Sequence, residues 1–169
     1  MSFRPTGKLG VIGIFILVFL AITTYFFSQD QINGIDLSQE QLNGIKLYQK
    51  LDSVDFKQQF GDPGSYLESL KTKQLTYYML KKGLEVAVDI EKRVTKVIID
   101  STNLESQTSR KIMIGMSTDD VKKKYGENFT KRSEQGASIL FYRDREINTV
   151  LEFWCNNDRV DRIVLAATP

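Results

Sequence analysis

Hydrophobic residues fall along this chain in one long block followed by many short, regularly broken ones. The block, Leu9 to Phe27, reads LGVIGIFILVFLAITTYFF and contains no charge and no amide side chain. As a helix its 19 residues would rise about 29 Å, close to the ~30 Å of a bilayer hydrocarbon core. A helix satisfies its own backbone groups and so can cross lipid. Tyr25, Phe26 and Phe27 crowd one end, where aromatic rings settle at the interface, and Arg4 and Lys8 flank the other. The positive-inside bias therefore predicts residues 1–8 in the cytoplasm, a transmembrane helix over 9–27 and an extracytoplasmic remainder. A cleaved signal peptide is the rival reading. Against it, Thr24-Tyr25-Phe26-Phe27 is a poor cleavage context and Ala21-Ile22-Thr23 the one weak site.

Residues 28–44 are polar and read as a spacer from membrane to domain. Within them Gln31-Ile32-Asn33-Gly34-Ile35-Asp36-Leu37 returns ten residues later as Gln41-Leu42-Asn43-Gly44-Ile45-Lys46-Leu47. The two Asn-Gly steps favour turns.

A longer echo has a period of about 65, since Leu51-Asp52-Ser53-Val54-Asp55-Phe56 through Gly61 aligns with Met116-Ser117-Thr118-Asp119-Asp120-Val121 through Gly126. Each copy predicts a short helix. Asp52 and Ser117 stand as N-caps, and acids follow in the first turn at Asp55 and Asp120. Leu51 with Phe56, and Met116 with Val121, form hydrophobic staples. Phe56/Phe60 and Val121/Tyr125 make one apolar stripe. Gly61 and Gly126 stop each helix. Three alternating runs follow each time: Gln74–Leu80, Leu84–Ile90 and Val94–Asp100, then Ser138–Arg143, Thr149–Cys155 and Val160–Ala166. Alternation of this kind predicts antiparallel meanders with one covered face. A unit of ~60 residues is marginal alone, so two joined edge to edge should share a core. The expected fold class is α+β: an N-terminal transmembrane helix, then repeat 1 over 45–100, a polar linker over 101–110 and repeat 2 over 111–167. These repeats form one continuous sheet with both helices on one face.

Gly115-Met116-Ser117-Thr118-Asp119-Asp120-Val121 through Tyr125-Gly126 resembles the Gly-Met-Thr…Val…Leu-Gly-x-Pro signature of the SmpA/OmlA (BamE-like) family of outer-membrane assembly lipoproteins. Phe60-Gly61-Asp62-Pro63 supplies the end of that signature in the first copy. The tandem arrangement is similar to that of the beta-lactamase inhibitor protein. The lipid-bearing Cys of the family is absent and an apolar span stands in its place, which points to a Gram-positive surface protein. What the resemblance implies is protein binding through an open sheet face, with no catalytic residues.

Composition narrows the chemistry. The 169 residues include one Cys and no His. That excludes Ser-His and Cys-His nucleophile pairs, His-containing zinc sites and any intrachain disulfide. Two of the 23 Lys+Arg, Arg4 and Lys8, precede the apolar block, so the bases after it equal the 21 acids. A nucleic-acid binder is not expected from that balance.

Trp154 is the leading candidate site residue. Alternation puts Leu151, Phe153 and Cys155 on one face of their strand and Glu152 and Trp154 on the other. Tyr78 and Tyr142 occupy matching positions opposite Tyr77 and Phe141, and join Trp154 as binding residues. Exposed Trp and Tyr are common interface anchors, although such rings also simply cover a sheet. Cys155 reads as a buried small hydrophobe. Lys122-Lys123-Lys124 closes a helix, where cations complement the dipole. Glu85, Glu152, Asp119 and Asp120 are explained by strand alternation and capping rather than by a carboxylate dyad. Asn128-Phe129-Thr130 is a formal glycosylation acceptor, relevant in a eukaryotic source alone. No calcium loop, P-loop or dinucleotide glycine pattern occurs. The expected protein is a single-pass, membrane-anchored module of the cell envelope that binds another envelope or secreted protein. It uses no cofactor or metal, is not an enzyme, and meets the bilayer through residues 9–27. An inhibitor or immunity protein acting on a secreted enzyme or toxin is the alternative.

Overall fold

The computed structural model describes residues 34–62 and 67–168. The transmembrane helix expected over 9–27 lies outside them. Among the described residues no helix is long and apolar enough to cross a membrane.

The α+β expectation is corrected to a mostly β architecture. Among the described residues the helices are two short ones, α1 (Val54–Phe60) and α2 (Thr118–Tyr125). The rest is organised by one antiparallel sheet of eight strands. These are β1 (Leu67–Lys71), β2 (Thr76–Lys81), β3 (Leu84–Val88), β4 (Val94–Asp100), β5 (Thr130–Glu134), β6 (Ala137–Asp144), β7 (Thr149–Asn156) and β8 (Arg159–Ala167). Their order is β1-β2-β3-β4-β8-β7-β6-β5. Each meander therefore has four strands, not three, and the two meet along β4 and β8. The unexpected members, β1 and β5, are the two edges. An edge strand is held by backbone bonds on one side and need not bury a face, so it need not alternate. All five residues of β5 are exposed, and in β1 the register shifts between Glu68 and Leu70.

One face of the sheet carries the core. Val86 and Leu84 of β3, Val97 and Ile99 of β4, Leu140 and Tyr142 of β6, Leu151 and Phe153 of β7 and Ile163 and Leu165 of β8 belong to a single buried cluster. Phe56 of α1 and Val121 and Tyr125 of α2 close it from above. Helix starts follow local chemistry. Ser53, not Asp52, caps α1 by accepting from the Phe56 N–H. Ser117 caps α2 in a reciprocal box with Asp120. Gly61 and Gly126 end the two helices at φ 90° and 85°, a region costly for any residue with a Cβ.

Residues 28–44 are not a spacer in their described part. Leu37 and Leu42 are buried in the core together with Ile45 and Leu51. This strap enters beside β6, where the Ile35 N–H donates to the Arg143 carbonyl at 3.1 Å and the Leu37 N–H to Asp144 Oδ2 at 2.9 Å. Leu42 then bridges both Ile45 and Thr108. The connection 101–110 is likewise tucked in, with Asn103, Ser106 and Thr108 buried.

Candidate outer-face binding surface

Direct cross-strand partners in an antiparallel sheet point to the same side, so the register maps the face opposite the core. One row runs Leu67, Met79, Glu85, Ile98, Val164, Glu152, Phe141 and Thr130 from edge to edge. A second carries Leu70, Tyr77, Ala87, Lys96, Ala166, Val150 and Arg143. A third runs from Asp100 of β4 across the second meander through Arg162, Trp154, Ile139 and Arg132. Both helices and the strap are packed on the other side. Val150, Val164 and Ala166 form a small separate cluster here, with half-buried Ile98, Phe141 and Trp154 against it. Toward β1, Leu67 is 65% exposed and Leu70 54%. The centre of this face is closed side chain against side chain, Val150, Val164, Ala166 and Ile139 all being buried, and its open apolar area lies toward β1; among the described residues no element is laid across it.

Trp154 lies on this face, half-buried, and its indole N–H donates to Glu152 Oε2 at 2.8 Å. The Arg162 guanidinium stands 5.7 Å from its ring centroid. The ring is thus held in one orientation.

Tyr142 is elsewhere. It is fully buried on the core face, where its hydroxyl donates to the Gly126 carbonyl at 2.8 Å. Its ring packs 5.5 Å from Tyr125 and 5.6 Å from Phe129. Burial pushes its phenol well above the usual tyrosine range. Tyr78 is opposite Val86 and half-buried against the same core. The expected grouping of Tyr78 and Tyr142 with Trp154 is therefore corrected: the aromatic residues sharing its face are Phe141 and Tyr77. Phe141 carries the Arg132 guanidinium stacked 3.5 Å from its centroid.

The remaining candidates resolve on geometry. Glu85 and Glu152 share a row but sit three strand spacings apart, about 14 Å. That is beyond the separation at which two carboxyls flank one bond. Asp120 accepts from the Ser117 hydroxyl at 2.6 Å and its N–H at 3.1 Å, and those bonds hold its carboxyl below the usual aspartate range. Cys155 is buried, and burial pushes its thiol up to about 11, so it is no nucleophile at neutral pH. Lys122 reaches Asp119 at 3.8 Å, while Lys123 and Lys124 are exposed at the helix end. Among the described residues no three His, Cys, Asp or Glu side chains gather where they could hold a metal ion.

Glu40 was not singled out from sequence. It is buried, with Oε1 accepting from the Ser109 hydroxyl at 2.6 Å and N–H at 2.9 Å, and Oε2 from the Tyr125 hydroxyl at 2.9 Å. An acid in a polar repeat carries no local mark of such burial. Its role is to pin the strap to the 101–110 connection and α2. Two shallow cavities flank the strap. One, of about 220 Å³, is lined by Gln41, Asn43, Gln59 and Gln107 among others; the second, of about 240 Å³, lies between Leu37, Tyr48 and Ile147.

No protein-family model matches the chain, and no curated protein does. Among solved structures it is similar to a DUF4309 family protein, YjgB, from Bacillus subtilis subsp. subtilis str. 168. That similarity has a TM-score of 0.49 at 14% identity, over 74% of this chain and 83% of the other.

Proposed function

We propose that this protein is a binding module, without catalysis of its own, that takes up another protein of the cell envelope on the outer face of its sheet. The observation that carries the reading is the stripe of half-buried Phe141, Trp154 and Ile98 that runs on to exposed Leu67 and Leu70, uncrossed by any described element. Trp and Arg dominate interface energetics, and the stripe places both side by side. A ring already fixed by Glu152 loses little freedom on docking. The apolar residues 9–27 would hold the module at the membrane with the sheet outside the cell.

The test is photo-crosslinking in intact cells from a reactive residue in place of Thr130, beside Phe141. A discrete crosslinked protein is expected, and Trp154→Ala should abolish it. Because Trp154 is half-buried, the substitution should cost about 1–2 kcal/mol of stability, a drop of a few degrees in Tm. An unchanged crosslink in a folded Trp154→Ala protein overturns the reading.

A further inference from the structure

We propose that the strap and the 101–110 connection build a binding site for a neutral sugar, the cavity of about 220 Å³ beside them taking one pyranose ring of a glycan. The site lies away from the outer face, on the side of the sheet where strap and helices pack, and stands independently of the reading above. It grows out of the repeated Gln-x-Asn-Gly motif, in its second copy Gln41-Leu42-Asn43-Gly44.

Backbone pairing explains the shape. Leu42 and Thr108 are antiparallel partners and both are buried. Beside them the Asn43 N–H donates to the Gln107 carbonyl at 2.8 Å and the Ser109 N–H to the Gln41 carbonyl at 3.0 Å. Neighbours of a buried residue in an extended segment turn the other way, so Gln41, Gln107 and Ser109 are directed out of the core. Asn43 and Gly44, at φ 52° and 83°, make the turn between bridged Leu42 and Ile45. Gln59 of α1 reaches over that turn, its Nε2 donating to the Asn43 carbonyl at 2.9 Å. Gly44 leaves room for it: a Cβ there would lie 2.6 Å from that nitrogen. Lys111, at φ 67°, lines the cavity as well.

The lining then selects the ligand. Carboxamides from Gln41, Asn43, Gln59 and Gln107 meet here. Among the described residues those of Gln41, Asn43 and Gln107 have no hydrogen-bond partner, and the Lys111 ammonium has no ion pair. No acidic, aromatic or large apolar side chain lines the cavity, so it suits neither a cation nor an apolar group. A carboxamide offers N–H donors and a carbonyl acceptor, while a ring hydroxyl both donates and accepts. Two neighbouring hydroxyls of a sugar can therefore pair with a single carboxamide. The Glu40 carboxylate, which accepts from Ser109 in the lining, offsets the Lys111 charge and favours an uncharged ligand. Size sets the last limit. At about 220 Å³ the cavity is smaller than the ~300–1,000 Å³ of drug-sized sites and suits one six-membered ring with its hydroxyls.

The experiment titrates the nitrogen-labelled full chain, held in a zwitterionic detergent without a sugar head group, and follows the side-chain amide resonances by NMR. Glucose, galactose and N-acetylglucosamine are the probes; glycerol and N-acetylglycine methylamide stand for a bare polyol and a peptide backbone. At least one sugar should move the resonances of the four carboxamides saturably, with a Kd of about 1–10 mM, as expected of so small a ligand. That Kd should change less than about twofold between ~0.05 M and ~0.5 M salt, since no charges pair. Gln41→Ala/Gln107→Ala removes two side chains without internal partners. It should weaken sugar binding about tenfold or more while leaving Tm within a few degrees of the parent. Gln107→Ala alone serves if the double variant does not fold, and should weaken binding about threefold or more. No saturable movement with any sugar overturns the proposal, as does undiminished sugar binding by a folded variant. Equal saturation by glycerol overturns it too, and so does movement with the methylamide alone, which would make the ligand a peptide backbone.

Discussion

Glu40 concentrates more of this fold's polar chemistry than any other side chain described. Its carboxylate accepts from the Ser109 and Gln41 N–H groups, a serine hydroxyl and a tyrosine hydroxyl, the last of these in the interior. Deleting it removes an acceptor from both hydroxyls, while the Ser109 N–H keeps the Gln41 carbonyl at 3.0 Å. Glu40→Ala should therefore cost about 3 kcal/mol, and Glu40→Gln, which keeps one carbonyl oxygen, about 1–2 kcal/mol. Chemical denaturation of the two variants separates the missing acceptor from the missing charge. The residue scale is also where sequence reasoning was weakest. In β6, Ile139, Phe141 and Leu140, Tyr142 make both faces apolar, so alternation carries no phase and does not tell which ring faces the core. The phase comes from long-range register, Phe141 opposite Glu152 and Tyr142 opposite Leu151. The side shared by Trp154 and Glu152 is legible because their strand alternates cleanly there, with buried Leu151, Phe153 and Cys155 on the other side.

At the scale of elements, the helices were the most legible features, since their starts and stops are set by neighbours within five residues. The box at Ser117 and Asp120 makes a dissectable prediction. Ser117→Ala should cost about 1 kcal/mol. Asp120 titrates below the ordinary aspartate value of 3.8, held there by the Ser117 hydroxyl and then by its N–H. Protons thus bind the unfolded chain more readily. The stabilisation from this carboxylate is complete above the unfolded value and disappears as pH falls through the lowered one. Urea midpoints measured from pH 6 downward, to about pH 2, should fall less steeply in Asp120→Asn than in the parent. Edge strands were illegible for the converse reason. Thr130-Lys131-Arg132-Ser133-Glu134 has no buried face at all, and its strand exists because β6 offers it a row of backbone partners. Its charges suit that position, because an edge of lysine, arginine and glutamate resists pairing with another chain.

On the scale of the whole molecule, the two meanders are bound by more than the β4–β8 seam. The strap preceding the first meander is bonded to β6 and α2 of the second, so each half completes the other's core. Unfolding should then be a single transition. Ile163, buried beside Ile99 and Phe153, is the position to probe. Ile163→Ala should cost about 2–5 kcal/mol, and Trp154 fluorescence and circular dichroism should report the same lowered midpoint. Separate midpoints for the two signals would show independent halves. The interlock was hidden in the sequence because the Asn-Gly turns of residues 31–47 read as a solvated tether, while Leu37, Leu42 and Ile45 supply its buried side. The route of the strap also has a mechanical consequence. It enters in parallel with β6 through Gly34 and Arg143, so tension drawn along the chain at residue 34 loads those bonds in shear, together, instead of unzipping them singly. A tug from that end is borne first by the half of the protein farther along the chain, and the nearer half feels it only after the strap tears away.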